Sequence, residues 1–186
     1  MRVKVRDIAG FFMFFTLIFF SSCAVLPSPI QERDRPFEPG FILTNCCRVL
    51  YRSPLDMKQF SRQLGLDSTQ EIHSKVDELF ERVKSILKIN KKGAGVVDID
   101  IYRNQDELEK VYLRVIGRKG RESAFYVAKT NTIYLSLDEL TEGVLAHEMA
   151  HDIIQHFFTP LPLFWVREQM AQDVEKELRN KDRWAE

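Results

Sequence analysis

The chain has 186 residues, with 27 basic and 27 acidic side chains, 45% hydrophobic and 29% charged content, an ordinary globular composition that excludes a disordered or fibrous protein. A formal net charge of zero and the lack of any Lys/Arg stripe leave no electrostatic basis for a nucleic-acid partner. Three cysteines, two of them adjacent, make no evenly spaced disulfide framework, so an apolar core must hold the fold together.

The first segment reads as an address. Arg2, Lys4 and Arg6 precede an almost unbroken apolar run over residues 9–20, too short to span a hydrocarbon core of ~30 Å but suited to the apolar region of an export signal. Small residues then lead to Cys23, and Ser21-Ser22-Cys23-Ala24 resembles the lipobox of bacterial lipoproteins. That resemblance implies a signal peptide over residues 1–22, lipidation at Cys23, and an exported protein anchored in the bacterial cell envelope. In a Gram-negative cell, Ala24 beside the cysteine implies sorting to the outer membrane, facing the periplasm. Removing 1–22 leaves 24 basic and 26 acidic side chains, a near-neutral domain. Pro27, Pro29, Pro36 and Pro39 break any apolar period, so residues 23–40 are expected to form an extended tether and 41–186 a single domain.

Cys46 and Cys47 lie in a mostly apolar or neutral stretch whose only charge is Arg48, with neither a Cys-X-X-Cys spacing nor a nearby histidine; a vicinal disulfide, a mixed disulfide and two thiols are all open, with burial as small hydrophobes the preferred reading. Over residues 71–89, Ile72, Val76, Leu79, Phe80, Val83, Ile86 and Leu87 fall on one helical face. Val97, Ile99 and Ile101 alternate with Asp98, Asp100 and Tyr102, predicting a strand whose aspartates face solvent. A helical period returns over 105–116 and stops at Gly117. Two β-prone runs, 123–129 and 132–137, flank Thr130-Asn131 and predict a hairpin.

The chemistry is concentrated in the next helix, predicted over residues 140–158. His147-Glu148-Met149-Ala150-His151 is an H-E-x-x-H pattern, expected by chance from this composition with a probability of roughly 0.005. Histidines at i and i+4 project from one helix face a turn apart, so both imidazoles can bind one Zn²⁺, and Glu148 is placed to reach a water on the metal. Ile154 and Phe157 stand where a metzincin needs glycine and histidine, which excludes that extension. His156, nine residues after His147, falls on the opposite side of the helix and is expected to be a surface or capping histidine. After Pro160 and Pro162 a second helix opens with Phe164-Trp165-Val166-Arg167-Glu168, and Glu168 is expected to return a carboxylate as the third ligand of a His₂Glu site.

With His147, Glu148, His151, Trp165, Glu168 and Ala171, the stretch 96–178 resembles the gluzincin metallopeptidases of the small peptidase-MA-like, or minigluzincin, type. Gln169 replaces the glycine usual after the third ligand. The resemblance implies an α+β fold of zincin type, with a small, mostly antiparallel sheet packed against helices on one side. It also implies one Zn²⁺ per chain, a water activated to a pKa near ~7, Glu148 as general base, and a peptide or protein substrate paired along the 132–137 strand as the sheet edge. Gln172 or Asp173, a turn beyond Glu168, are the expected hydrogen-bond supports of a ligand imidazole. No Tyr or His follows Glu168, and the downstream arginines are Arg179 and Arg183. The expected stabilisers of the transition-state oxyanion are therefore upstream, Tyr126 or Tyr134. For the same reason the competing reading is a zinc-binding envelope lipoprotein that recognises peptides without cleaving them.

Overall fold

A computed structural model describes residues 40–90 and 95–183; side chains are described through residue 179. The expected signal, the lipidation site at Cys23 and the tether up to residue 39 lie outside the described residues; Gly40, expected to end the tether, instead opens the first strand. Among those described are five strands and five helices, in the order β1 Gly40–Leu43, β2 Cys47–Tyr51, α1 Pro54–Gln63, α2 Ile72–Ile86, β3 Val97–Tyr102, α3 Gln105–Ile116, β4 Ala124–Val127, β5 Thr132–Ser136, α4 Glu142–Phe157 and α5 Phe164–Arg183. The fold class is α+β, as expected, but the sheet is mixed rather than mostly antiparallel. Its order is β1-β2-β3-β5-β4, with β2, β3 and β5 parallel and a β1 or β4 partner running antiparallel at each edge. The helical connections between β2, β3 and β5 are what make those pairings parallel.

Strand alternation divides the side chains between two faces. Val97, Ile99, Ile101, Ile133 and Leu135 enter one core with Phe60 of α1, Leu79 of α2 and Leu145 and Met149 of α4. On the opposite face Tyr102 of β3, Tyr134 of β5 and Phe125 of β4 pack with Leu108, Val111 and Tyr112 of α3. Helices therefore cover both faces, where the sequence led us to expect one. The aspartates of β3 divide in the same way. Asp98 pairs with Arg48 at 2.6 Å and stays partly wet, whereas Asp100 is buried, accepting from Tyr102 Oη at 2.8 Å and pairing with Arg52 at 3.1 Å. The solvent-facing reading thus fails for Asp100, because α3 and the tyrosine layer close over that face.

Local chemistry sets the helix ends. Ser53, Asn104 and Thr141 each accept an N–H of the following turn, from Asp56, Glu107 and Val144 respectively, satisfying donors that an isolated helix start leaves orphaned. Gly117 ends α3 at φ 79°, a left-handed conformation that suits glycine. In the β4–β5 turn Asn131 takes φ 49°, the role for which asparagine is favoured. Cys47 is buried in the core and Cys46 partly so, with their sulfurs 3.0 Å apart and the Cys46 thiol donating to Asp77.

Candidate metal centre

The centre forms where α4, α5 and the edge strand β4 meet. Leu145, Ala146, Met149, Ala150 and Ile153 fix α4 in the core, which leaves His147 and His151 on the flank turned toward α5. On α5 the buried residues Ala171, Val174 and Leu178 seat the helix against that core. Glu168, three residues before Ala171, is thereby turned back to α4. His147 Nε2 and His151 Nε2 are 3.2 Å apart; Glu168 Oε1 lies 3.3 Å from His151 Nε2 and Glu168 Oε2 3.9 Å from His147 Nε2.

These separations suit a metal. With Zn–N and Zn–O distances near 2.0–2.1 Å, the edge of a ligand tetrahedron is about 3.3 Å, and one donor atom from each of the three residues lies within 4.8 Å of the others. The donor chemistry also fits. Burial, together with His147 and Arg167, pushes the His151 imidazole down to about 4, so it is neutral and able to ligate across the physiological range.

Glu148 sits beside the triad and is only 7% exposed. Burial, and then the neighbouring Glu168, push its carboxyl up to about 8, an effect partly offset by the main-chain N–H of Tyr126. That donor comes from the sheet edge. Ser123 C=O accepts from Ser136 N–H, so by antiparallel alternation the outward main-chain groups of β4 belong to Ala124 and Tyr126. The edge strand is therefore β4, not the 132–137 run, because β5 is enclosed between β3 and β4.

A cleft of about 410 Å³ opens over the triad, lined among others by Ile116, Arg118, Phe125, Tyr126, Phe164 and Arg167. Of the two tyrosines expected to stabilise an oxyanion, Tyr126 is in this cleft wall, its hydroxyl donating to Asn131 Oδ1 at 2.9 Å. Burial and the nearby Asp152 raise its pKa further above the ordinary phenol value. Tyr134 lies on the other face of the sheet, buried between Tyr102 and Phe125, and does not reach the triad.

The expected imidazole supports, Gln172 and Asp173, are both exposed, and Asp173 instead accepts from Gln169 at 2.8 Å. The carboxylate at His147 is Glu175, whose Oε2 is 3.5 Å from His147 Nδ1 and whose Oε1 takes Arg179 Nη2 at 2.6 Å. Sequence reasoning stopped one turn too early. Residue i+7 returns to within about 20° of Glu168 on a helical wheel, closer than i+4. Arg167 was also missed, although it directly precedes Glu168 and lines the cleft. So was Asp152, which is fully buried, 3.0 Å from His156 Nδ1 and pushed up to about 6 by burial. His156 itself closes the end of α4, donating from Nδ1 to the Asp152 carbonyl at 2.9 Å, as a capping histidine does. Compared with known proteins, the chain matches no family profile, no curated protein and no solved structure.

Proposed function

We propose that this chain is a zinc-dependent metallopeptidase of zincin architecture and gluzincin ligand type, with His147, His151 and Glu168 as the ligands of one Zn²⁺ and Glu148 as the general base. The observation that carries this reading is the convergence of two imidazoles and one carboxylate at tetrahedral spacing, beside a buried carboxyl whose proton affinity sits near neutrality. Zinc held there would supply Lewis acidity, polarising a scissile carbonyl and acidifying water.

The rest of the work belongs to the chain's own groups. Glu148, with a carboxyl poised near 8 in the metal-free protein, suits taking a proton from the attacking water and returning it to the leaving amine. The Tyr126 N–H holds that carboxylate in place. The outward main-chain groups of β4 that Glu148 does not take, those of Ala124 and the Tyr126 carbonyl, suit an extended peptide laid along the edge, which would bring a scissile bond into the cleft. Glu175, paired with Arg179 and 3.5 Å from the otherwise unpartnered His147 Nδ1, is the carboxylate placed to orient that ring. We further propose that the enzyme is exported and tethered in the cell envelope through Cys23.

One observation favours a second reading, a zinc-dependent peptide-binding module without turnover. Tyr134 is remote and the Tyr126 hydroxyl is engaged by Asn131, leaving neither tyrosine available to an oxyanion as placed. Turnover separates the two. Zinc-loaded wild type digesting a peptide library, with Glu148→Gln keeping zinc but losing cleavage by at least about a hundredfold, supports the enzyme. Retained zinc with peptide binding and no cleavage by wild type supports the module. Equal cleavage by both proteins would remove Glu148 from the mechanism.

A further inference from the structure

Residues 157–166 contain no charged side chain, and the turn they make between α4 and α5 stands in water. Leu161 is 40%, Leu163 68%, Phe164 69% and Trp165 67% exposed. Isolated exposed apolar side chains are ordinary on a protein surface, but four within five positions form a patch that water penalises. Immediately beyond α3 lies a second exposed loop, Gly117-Arg118-Lys119-Gly120-Arg121, which carries three cations within four positions, Arg121 among them pairing with Glu109 at 3.8 Å. Leu113 and Ile116 at the end of α3 are exposed as well. The two loops border one cleft, which Ile116 and Arg118 line together with Phe164 and Arg167.

An apolar turn carrying a tryptophan, set beside a cluster of cations, matches the layered chemistry of an anionic bilayer. Leucine and phenylalanine enter the acyl boundary, tryptophan sits at the headgroup level, and Lys/Arg pair with the lipid phosphates. A second copy of the chain fits this surface less well, because a symmetric contact would bury two copies of the Arg118, Lys119 and Arg121 cluster in one interface. No helix among the described residues is long and apolar enough to cross a membrane, so the contact is one of lying on the surface.

We propose that the Leu161–Trp165 turn, together with Arg118, Lys119 and Arg121, is a membrane-docking surface that seats the cleft on an anionic bilayer, in addition to any N-terminal anchor. The two contacts have separate jobs. The 17 peptide links from Cys23 to Gly40 can extend to at most about 60 Å, so an anchor at Cys23 leaves the orientation of the domain open. The docking turn sets it, bringing the mouth of the cleft to the headgroup region. Chains or peptides held at the membrane would then be the accessible partners. This inference stands on exposure and charge and is independent of whether the centre binds zinc.

The test uses the full chain with Trp184→Phe, so that Trp165 is the only tryptophan. It is mixed with phosphatidylglycerol/phosphatidylcholine vesicles or with phosphatidylcholine alone, each made with and without brominated acyl chains. Trp165 emission is expected to be quenched at least about twofold by bromines in the anionic vesicles and less in the neutral ones. Arg118→Glu, Lys119→Glu and Arg121→Glu together should remove most of that quenching, and Leu163→Ser should weaken it. An unquenched Trp165 overturns the proposal, whether or not the chain sediments with the vesicles. So does an emission already shifted to the blue without lipid, which would mean that another segment or a second copy covers the turn.

Discussion

Replacing Glu148 by Gln keeps the shape and hydrogen-bonding oxygen of the side chain and removes its charge, and the structure fixes how stability should respond. In the metal-free fold the Glu148 carboxyl is raised from 4.5 to about 8 by burial and by Glu168. A carboxyl whose folded-state pKa lies above its unfolded value binds more protons when folded. Its contribution is therefore complete below about 4.5 and lost as pH rises toward about 8. At about 1.4 kcal/mol per unit of pKa, the loss approaches 5 kcal/mol at the top of that window. Urea unfolding of metal-free wild type and Glu148→Gln from pH 5 to 9 measures it directly. The two proteins should be nearly equal at pH 5 apart from a constant offset, and the variant should gain about 1.4 kcal/mol per pH unit over wild type up to pH 8, then level off. Zinc in the adjacent triad should abolish the slope by favouring the carboxylate. A stability difference that does not change with pH would refute the reasoning, since it would mean that the side chain ionises without cost and is not held in a dry pocket.

Other consequences are simpler. Glu175→Ala should weaken zinc binding about 10- to 100-fold by freeing the His147 ring, whereas Gln172→Ala and Asp173→Ala should not; competition against a fluorescent chelator reads all three. Gly117→Ala meets no atom within 4 Å, so only its φ of 79° opposes the substitution, and a loss of about 1 kcal/mol in denaturant unfolding is expected. Leu145→Ala, at a fully buried position between α4 and the sheet, should cost about 2–5 kcal/mol.

The candidate metal centre was the most legible part of the chain, because a helix converts sequence spacing directly into a shared face. His147 and His151 needed only the 3.6-residue period. Glu168 needed only a turn that reverses the chain, which Pro160 and Pro162 announce. Glu175 was equally readable at i+7, two turns along the same face. The start of α1 was also written in Ser53-Pro54-Leu55-Asp56, a capping serine followed by proline in the first turn, yet it went unread.

What sequence could not supply is pairing between distant segments. A hairpin period says that residues 123–129 and 132–137 lie side by side, but not which of them borders β3. The burial of all five residues of β5, against the half-open end of β4, is the physical difference. A near-continuous run such as Thr132-Ile133-Tyr134-Leu135-Ser136 carries a trace of it. The fate of Asp100 depended likewise on α3 crossing the sheet face above it, with Arg52 and Tyr102 arriving from other strand positions to satisfy the carboxylate. Tyr126 and Tyr134 are alike in sequence, and they were separated only by the parity of strands whose register is set from β3.

The central claim is that His147, His151 and Glu168 hold zinc. Elemental mass spectrometry on purified wild type and Glu168→Ala, each equilibrated with zinc and exhaustively dialysed, tests it most directly. Wild type is expected to retain about one zinc per chain and the variant to lose it. A folded wild type without metal, or a variant that keeps its zinc, would contradict the account.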